Sequence, residues 1–235
     1  MSPRPLIIAI DGPSGAGKGT VARTLAARLR YRHVDTGAMY RAVAWKALQE
    51  HIDLHDGDAV ARMAAGAAFD LDGHVIIAGQ DVTQAIRTPE IDAAAAIVAR
   101  HAPVRAALVA RQRRYGQGGA IVMEGRDIGT VVFPEADVKL YLDASPEERA
   151  RRRAEDPSHA AGRQATALQV VADALEARDR ADRTRAISPL MLAKDAVYLD
   201  TTGVPVEEVV RRVLTIVDDK RQKLGIRNSE FRIPD

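Results

Sequence analysis

Two patterns of apolar residues alternate along the chain, one typical of strands and one typical of helices. The run Leu6–Ile10 has almost no polar interruption, which is typical of a strand buried on both faces of a parallel sheet. Shortly after it, Val21, Leu25 and Leu29 recur every four residues, as on the buried face of a helix. The chain is therefore predicted to begin with a strand, a turn and a helix.

The same alternation continues to residue 223. Strands are predicted at Leu6–Ile10, around His33–Val34, and at Ala120–Glu124, Val138–Leu142 and Ala196–Leu199. Further helices are predicted at Gly37–Gln49, Pro103–Tyr115, Pro146–Glu155, Ala165–Ala181 and Pro205–Lys223. This order indicates an α/β fold with a doubly wound parallel sheet.

One segment interrupts this pattern. AFDLDGHVIIAGQDV, from Ala68 to Val82, has two short alternating apolar runs around Asp72-Gly73. Such a pattern predicts an antiparallel hairpin. Inside an α/β fold the hairpin is expected to be an insertion, and insertions of this kind commonly shape a binding site.

The turn between the first strand and the first helix has the pattern of a phosphate cradle. Its sequence is GPSGAGKGT, and its residues are Gly12, Pro13, Ser14, Gly15, Ala16, Gly17, Lys18, Gly19 and Thr20. The glycines let backbone N–H groups converge on an anion, the helix N-terminus adds its positive end, and Lys18 adds a charge. Gly19 stands where a serine or threonine usually follows the lysine, so Mg²⁺ is expected to depend mainly on phosphate oxygens and water.

Arginine and aspartate cluster in three stretches near predicted strand ends, where ligands bind in open α/β sheets. They are DTGAMYR (Asp35–Arg41), EGRDIGTVVFP (Glu124–Pro134) and ARDRADRTRAISPL (Ala177–Leu190). Glu124 follows an apolar strand in the manner of a Walker B acid. Guanidinium groups bind phosphate bidentately, so arginines from separate loops indicate a second phosphate site. For residues 177–185, a solvated helix face is an equally good interpretation.

The composition of the chain limits the kinds of partner that the protein is expected to bind. The chain has 235 residues, 46% of them hydrophobic, which suffices for one α/β domain with insertions. It has no cysteine, as suits a reducing cytoplasm. Aromatic residues make up only 4% and the net charge is +2, which argues against nucleic-acid binding. No apolar stretch approaches the roughly 18 residues of a membrane span, so no membrane partner is expected.

Five motifs occur together in an order that resembles the bacterial cytidylate kinases. They are GPSGAGKGT (12–20), DTGAMYR (35–41), QDVTQAIRTPEI (80–91), GRDIGTVVFP (125–134) and RDRADRTRAISPL (178–190). The resemblance extends to about Leu224 and implies a P-loop core with a parallel five-stranded sheet. It also implies a monophosphate-binding insertion at about 36–105, with a small antiparallel sheet, and a short lid at about 155–163. Residues 1–224 would form a single domain, and 225–235 a loose tail.

The resemblance also implies a reaction: transfer of the γ-phosphoryl group of ATP, with Mg²⁺, to CMP or dCMP. Nine residues are implied on the acceptor side. Arg41, Arg126 and Arg185 are expected at the acceptor phosphate, Thr36, Arg105 and Asp127 at the base, Arg178 and Asp182 at the sugar hydroxyls, and Tyr40 in the pocket wall. Lys18, Arg126 and Arg185 are the expected catalytic residues.

The resemblance also implies candidate lid residues, and the sequence departs from the family pattern at two positions. Arg149, Arg152, Arg153 and Arg163 are the candidates for closing on ATP, and no dedicated protein metal site is expected. Ala96 stands where the family usually has a serine, so one polar contact to the nucleoside would be missing or replaced. Glu124 stands where aspartate is common, one methylene longer.

Two alternative functions start from the same P-loop. A GTP-binding switch would need an N-K-x-D motif, but Asn228 is the only asparagine, and the D-x-x-G match at Asp70–Gly73 falls in the predicted hairpin. A kinase for another nucleoside monophosphate or a small metabolite would share the cradle but not the other loops. The resemblance to the cytidylate kinases, by contrast, implies a cytoplasmic monomer whose partners are small molecules, CMP and dCMP.

Overall fold

A central sheet of five parallel strands organises the structure, a computed structural model that describes residues 5–71, 73–157, 159 and 167–226. The strands are β1 (Ile7–Asp11), β2 (Arg32–Asp35), β6 (Ile121–Glu124), β7 (Val138–Asp143) and β8 (Val197–Asp200). Their order is β2-β6-β1-β7-β8, and all neighbours are parallel. The most apolar run, β1, lies in the middle, where both faces are covered. The five predicted strands and the doubly wound α/β fold are confirmed.

A second, antiparallel sheet lies between β2 and β6 in the sequence. It comprises β3 (Phe69–Asp70), β4 (Ile76–Ile77) and β5 (Gln80–Asp81), in the order β3-β4-β5. The predicted antiparallel hairpin is therefore confirmed, although Asp72 of its turn lies outside the described residues. The sheet has a third strand because the chain turns again at Ala78-Gly79, where both φ angles are positive (49° and 77°).

Eight α-helices lie within the described residues. They are α1 (Lys18–Leu29), α2 (Thr36–Gln49), α3 (Gly57–Gly66), α4 (Pro89–Val98), α5 (Ala102–Tyr115), α6 (Pro146–Glu155), α7 (Leu168–Thr184) and α8 (Val206–Lys223). A one-turn π-helix, Ile128–Val132, follows β6. The predicted helices are present, with ends shifted by at most three residues.

Helices α3 and α4 were not predicted, for a compositional reason. α4 contains four consecutive alanines, which give no contrast between apolar and polar faces. Its start is nonetheless well encoded, since Thr88 caps the backbone N–H of Ile91 and Pro89 occupies the first turn. α3 begins and ends at glycine, with Asp56 as its N-cap.

The core consists of two main hydrophobic clusters. One includes Met39 of α2, Leu108 of α5 and Met123 of β6, and extends to Ile77 of the small sheet. The other includes Leu25 of α1, Leu140 of β7 and Val213 of α8. The insertion thus shares buried side chains with the central sheet, which fixes its position beside the carboxyl ends of the strands.

Two further regions bear on the predictions. The predicted lid at about 155–163 is described only for 155–157 and 159, and residues 227–235 of the tail lie outside the described ranges. No single helix in the described ranges is long and apolar enough to cross a membrane. The consecutive helices α4 and α5 reach that threshold only as a pair, and they are bent by 100° at their junction.

Gly119, just before β6, provides a test of this architecture. Gly118 and Gly119 both have left-handed backbones, with φ of 94° and 75°, so alanine should cost roughly 1–2 kcal/mol at either position. At Gly119 the added Cβ would also lie 2.2 Å from the carbonyl oxygen of Pro5, whereas at Gly118 it meets none of the described residues within 4 Å. Urea unfolding should therefore show a clearly larger loss of stability for Gly119→Ala than for Gly118→Ala. Equal losses would contradict this packing of the N-terminal strand.

Candidate active site

A cavity of about 720 Å³ lies at the carboxyl ends of the central strands. All nine predicted acceptor-side residues line it, and so do residues 14–20 of the P-loop. Gly12 and Pro13 lie behind the lining instead. A Cβ at Gly12 would be 1.9 Å from the carbonyl oxygen of Leu142 on β7, so only glycine permits this close approach. The structure therefore brings both predicted phosphate sites into one cavity.

Lys18 begins helix α1, at the positive end of the helix dipole. Its ammonium is buried and donates a 2.6 Å hydrogen bond to the carbonyl oxygen of Pro13. Burial and the charge of Arg126 lower the pKa of Lys18 to about 7, although Glu124 and Asp179 oppose this shift. An anionic ligand beside the ammonium would reverse the shift, which makes this a favourable place for phosphate.

Glu124 occupies the space beside Gly19. Its Oε1 atom is 3.3 Å from the position that a Cβ would take at Gly19, and it is hydrogen-bonded to Nε2 of His33 at 2.9 Å. Thr20, the nearest hydroxyl after the lysine, is exposed. No group of three or more ligating side chains is found among the described residues. One buried carboxylate beside a phosphate cradle fits Mg²⁺, which usually combines one or two carboxylates with phosphate oxygens and water.

Asp11, at the end of β1, was not predicted as a site residue. Its carboxylate accepts hydrogen bonds from the backbone N–H groups of Ile128 (2.8 Å) and Gly129 (2.7 Å). Burial raises the pKa of Asp11 to about 6, while these two bonds oppose the rise. Through these two hydrogen bonds, Asp11 holds the loop that carries Arg126 and Asp127 against β1, the strand that leads into the P-loop. The sequence did offer one signal for Asp11, since it is a single acidic residue between an apolar strand and the glycines of the P-loop.

On the acceptor side, arginines pair with aspartates from other elements. Arg105 of α5 forms a fully buried ion pair with Asp127. Arg126 donates from Nε to Asp182 at 2.8 Å, and Nη1 of Arg185 lies 3.6 Å from the same carboxylate. The aspartates hold the guanidinium groups in place at the cavity wall.

Three buried guanidinium nitrogens at this wall have no hydrogen-bond partner within the part of the chain that the structure describes. They are Nε of Arg41, Nε of Arg105 and Nη2 of Arg185. Buried donors are almost always hydrogen-bonded, and an unpaired one is costly. Three such donors around one cavity point to a ligand with several acceptor atoms, such as a phosphate and a heterocyclic base.

The remaining acceptor-side residues have mainly supporting contacts. Thr36, the first residue of α2, donates its hydroxyl to the carbonyl oxygen of Glu124 at 2.7 Å. The guanidinium of Arg105 lies 5.6 Å from the ring centroid of Tyr40, within cation–π range. Burial raises the pKa of Tyr40 to about 12, so its hydroxyl stays protonated at neutral pH.

Residues 177–185 combine both interpretations made from the sequence. Asp179 and Asp182 are buried and Arg178 lines the cavity, whereas Arg180 and Arg183 are exposed on the outer face of α7. The helical period accounts for the mixture, since positions three or four residues apart share a face.

The lid arginines divide into separate roles. Arg149 is buried in an ion pair with Asp179 and donates to the carbonyl oxygen of Ser14 at 3.1 Å, and it does not line the cavity. Arg152 donates to the carbonyl oxygen of Thr201 at 2.6 Å. Arg153 lines the cavity and donates to Oγ of Ser14 at 3.2 Å. Arg163 lies outside the described residues.

Comparison with known proteins decides the family. The sequence model of cytidylate kinase matches residues 8–219. The chain belongs to the cytidylate kinase family. It is 48% identical over 219 residues to the cytidylate kinase of Desulfitobacterium hafniense, covering 92% of this chain and 94% of that protein. It is 47% identical over 213 residues to the cytidylate kinase of Solibacter usitatus, covering 90% and 92%.

The family also includes longer proteins, and a solved structure of low sequence identity shares the fold. A bifunctional pantoate ligase/cytidylate kinase of Prochlorococcus marinus is 46% identical over 222 residues, which cover 92% of this chain and 45% of that protein. A crystal structure of an uncharacterized protein from Eubacterium ventriosum has a TM-score of 0.53 at 10% identity, covering 91% of this chain and 98% of that one. At that identity the likeness shows a shared fold alone.

The depressed pKa of Lys18 makes a measurable prediction. At pH 7 about half of the free molecules should have a neutral Lys18, and ATP binding should return the proton, so uptake of about half a proton is expected from this residue. Titration calorimetry in buffers of different ionisation enthalpy measures that uptake. Lys18→Met is the control. Protons exchanged by ATP itself contribute equally in both proteins, so the difference in proton uptake reports on Lys18. Equal proton uptake by the two would contradict the assignment.

Proposed function

We propose that this protein transfers the γ-phosphoryl group of ATP to CMP or dCMP, giving ADP and CDP or dCDP. Membership of the cytidylate kinase family supports an ATP-dependent phosphotransferase. The observation that carries the choice of acceptor is the set of buried guanidinium nitrogens of Arg41, Arg105 and Arg185 that have no hydrogen-bond partner among the described residues, together with the carboxylate of Asp127, which pairs with Arg105. These groups complement an anionic phosphate and a base with mixed donor and acceptor atoms.

The donor nucleotide is assigned to the P-loop. Residues 12–20 would surround its phosphates with backbone N–H groups, and Lys18 would stabilise the charge on the transferring group. Arg152 and Arg153 line the same end of the cavity, and Arg153 already contacts Ser14. They are the lid residues best placed to approach the donor phosphates.

Glu124 is the residue that would hold Mg²⁺. When bound, the ion neutralises phosphate charge. His33 is hydrogen-bonded to the Glu124 carboxylate and thereby orients it, while Gly19 leaves the space that the carboxylate fills. The additional methylene of glutamate, compared with aspartate, gives the carboxylate the reach to fill that space.

The acceptor is assigned to the opposite wall. Arg41, Arg126 and Arg185 would hold its phosphate, since they come from three separate elements and face one cavity. Asp127 and Arg105 would read the base, with Thr36 and Tyr40 beside it. Arg178 and Asp182 would reach the sugar, and Ala96 lines the cavity without a hydroxyl to offer.

The chemistry requires alignment rather than a general base. A phosphate oxygen of the acceptor forms a new bond to the γ-phosphorus as the bond to the β–γ bridging oxygen breaks, and the acceptor oxygen is already ionised. Lys18, Arg126 and Arg185 would act catalytically by offsetting the repulsion between the two polyanions and by holding both oxygens in line. Excluding water from the cavity would limit ATP hydrolysis.

We also propose that the protein acts as a monomer in the cytoplasm, on small molecules and without nucleic acid or membrane. In support, residues of one chain line both halves of the cavity. Neither Asp70 nor Gly73, the D-x-x-G match of a GTP-binding switch, lines it. A kinase for another nucleoside monophosphate remains the competing assignment, and substrate choice tests it.

A coupled assay of ATP consumption against CMP, dCMP, UMP, AMP and GMP tests the function. CMP and dCMP should be good acceptors, UMP clearly poorer, and AMP and GMP essentially excluded. An ionised carboxylate only accepts hydrogen bonds, so Asp127 suits the amino group of cytosine and would face the O4 carbonyl of uracil acceptor to acceptor. An unpaired buried polar group costs roughly 1–3 kcal/mol, about ten- to a hundredfold in kcat/KM.

In the same assay, Asp127→Ala should remove most of the preference for CMP over UMP. Asp58→Ala is the matched control, because it removes an exposed acid from α3, outside the cavity. An unchanged ratio in Asp127→Ala would remove this residue from base reading. A wild-type enzyme that prefers UMP or AMP would overturn the assignment of cytidylate as substrate.

The assignment of the acceptor phosphate predicts a selective loss. Replacing Arg41, Arg126 or Arg185 with glutamine should raise KM for CMP about ten- to a hundredfold, because a hydrogen bond to a charged group contributes roughly 1.5–3 kcal/mol. ATP affinity, measured by calorimetry, should stay nearly unchanged. Arg183→Gln, an exposed arginine of α7, is the control. If ATP affinity fell while CMP kinetics held, these arginines would belong to the donor side.

A further inference from the structure

Asp92, in the first turn of α4, is approached by two arginines and a histidine. Its side chain is only 17% exposed. Nη1 of Arg178 lies 2.7 Å from Oδ1, Nε2 of His159 lies 3.1 Å from Oδ2, and Nη1 of Arg153 lies 3.6 Å from Oδ2. These partners come from α7, from the segment after α6, and from α6. One carboxylate of the insertion therefore contacts α6, the segment after α6, and α7.

The charges around Asp92 keep it ionised. Burial alone would raise the pKa of its carboxyl, but Arg178, the hydrogen bond from His159, and two further arginines hold that pKa well below its usual range. Without this negative charge, Arg153 and Arg178 would face each other as like charges in a partly buried site. Their repulsion would displace both guanidinium groups.

The proposed function assigns the two arginines to different nucleotides. Arg153 donates from Nη2 to Oγ of Ser14, inside the P-loop. Arg178 lines the cavity, where the proposed function places it at the acceptor's sugar, and its ion pair with Asp92 uses Nη1 of a guanidinium that carries five N–H donors. Asp92 is thus in contact with one arginine at the donor side and one at the acceptor side.

We propose that Asp92 is a positioning residue that couples the two nucleotide sites, so that each nucleotide binds more tightly when the other is present. Asp92 aligns Arg178 for the acceptor and Arg153 for the P-loop at once, so a nucleotide that fixes either arginine also fixes the carboxylate and, through it, the other arginine. Such coupling is reciprocal. The inference rests on the proposed function, because it requires two nucleotides in one cavity.

Asp92→Asn tests the proposal, since the amide keeps the shape of the side chain and removes its charge. Glu90→Gln is the matched control: Glu90 is in the same first turn of α4, is exposed, and its replacement changes the net charge equally. Calorimetry gives the CMP dissociation constant with and without a non-hydrolysable ATP analogue. In the wild type and in Glu90→Gln, the ATP analogue should lower the CMP dissociation constant about fivefold or more. This ratio of the two dissociation constants is the tightening factor. In Asp92→Asn the tightening should fall close to onefold, and Asp92→Glu should restore part of it.

Arg153→Gln tests the same link from the other end and does not depend on the folding of Asp92→Asn. It should reduce the tightening while leaving the affinity for CMP alone nearly unchanged, because Arg153 faces the donor. In a double-mutant cycle, Asp92→Asn and Arg153→Gln should be clearly non-additive in the tightening factor.

The outcomes separate this inference from the proposed function. If the wild type does not phosphorylate CMP, the function is wrong. If it does, and Asp92→Asn matches Glu90→Gln in the tightening factor, the coupling role is overturned. A variant that loses affinity for CMP alone but keeps the full tightening would also overturn it, because Asp92 would then act on Arg178 only.

Discussion

Repulsion among arginines is the constraint on which the rest of this site depends. The cavity must offset the charge of two nucleotides, yet the protein must also fold before either is bound. Buried like charges destabilise a protein strongly unless counter-charges lie close by. Aspartates from several elements supply these counter-charges: Asp35 for Arg41, Asp92 for Arg178, Asp127 for Arg105, Asp179 for Arg149 and Asp182 for Arg126. The arginines are therefore already oriented when a phosphate arrives, which reduces the cost of binding.

The sheet determines which of these charges meet. In a parallel sheet all carboxyl ends lie at one edge, so Asp11, Asp35 and Glu124, the last residues of β1, β2 and β6, come together. Each has a different task. Asp11 binds the backbone of the loop after β6, Asp35 caps α2 and holds Arg41, and Glu124 lies beside Gly19. Three acids at equivalent strand ends thus connect the P-loop, the insertion and the arginine loop.

Features encoded within a few residues were predictable from the sequence. The P-loop, the five strands and most helices follow from local periodicity and glycine placement. Motif resemblance selected nine residues for the acceptor side, and all nine line the cavity. The contacts of Asp11 with Ile128 and Gly129 were not predictable, since more than a hundred residues separate the partners. The ion pair of Asp92 with Arg178 was not predictable either, because 86 residues separate the partners and because the alanine-rich helix that carries Asp92 has no apolar period. Charge patterning reveals that aspartates and arginines are abundant, but only the fold determines which of them pair.

The pairing of Arg105 with Asp127 connects charge balance to substrate choice. A carboxylate that must neutralise a buried guanidinium has one oxygen directed to that partner, and here Oδ2 contacts Arg105. Oδ1 lies 4.0 Å from Nη2 of Arg185, beyond hydrogen-bond distance, and that nitrogen has no hydrogen-bond partner among the described residues. A base that donates to Asp127 and accepts from Arg105 satisfies both members of the pair, and the amino group beside N3 of cytosine has this arrangement. Uracil has a carbonyl in place of the amino group and an N3–H in place of the N3 acceptor, so it would face Asp127 acceptor to acceptor and Arg105 donor to donor. We propose that the ion pair that keeps the cavity wall stable before binding also favours cytosine over uracil.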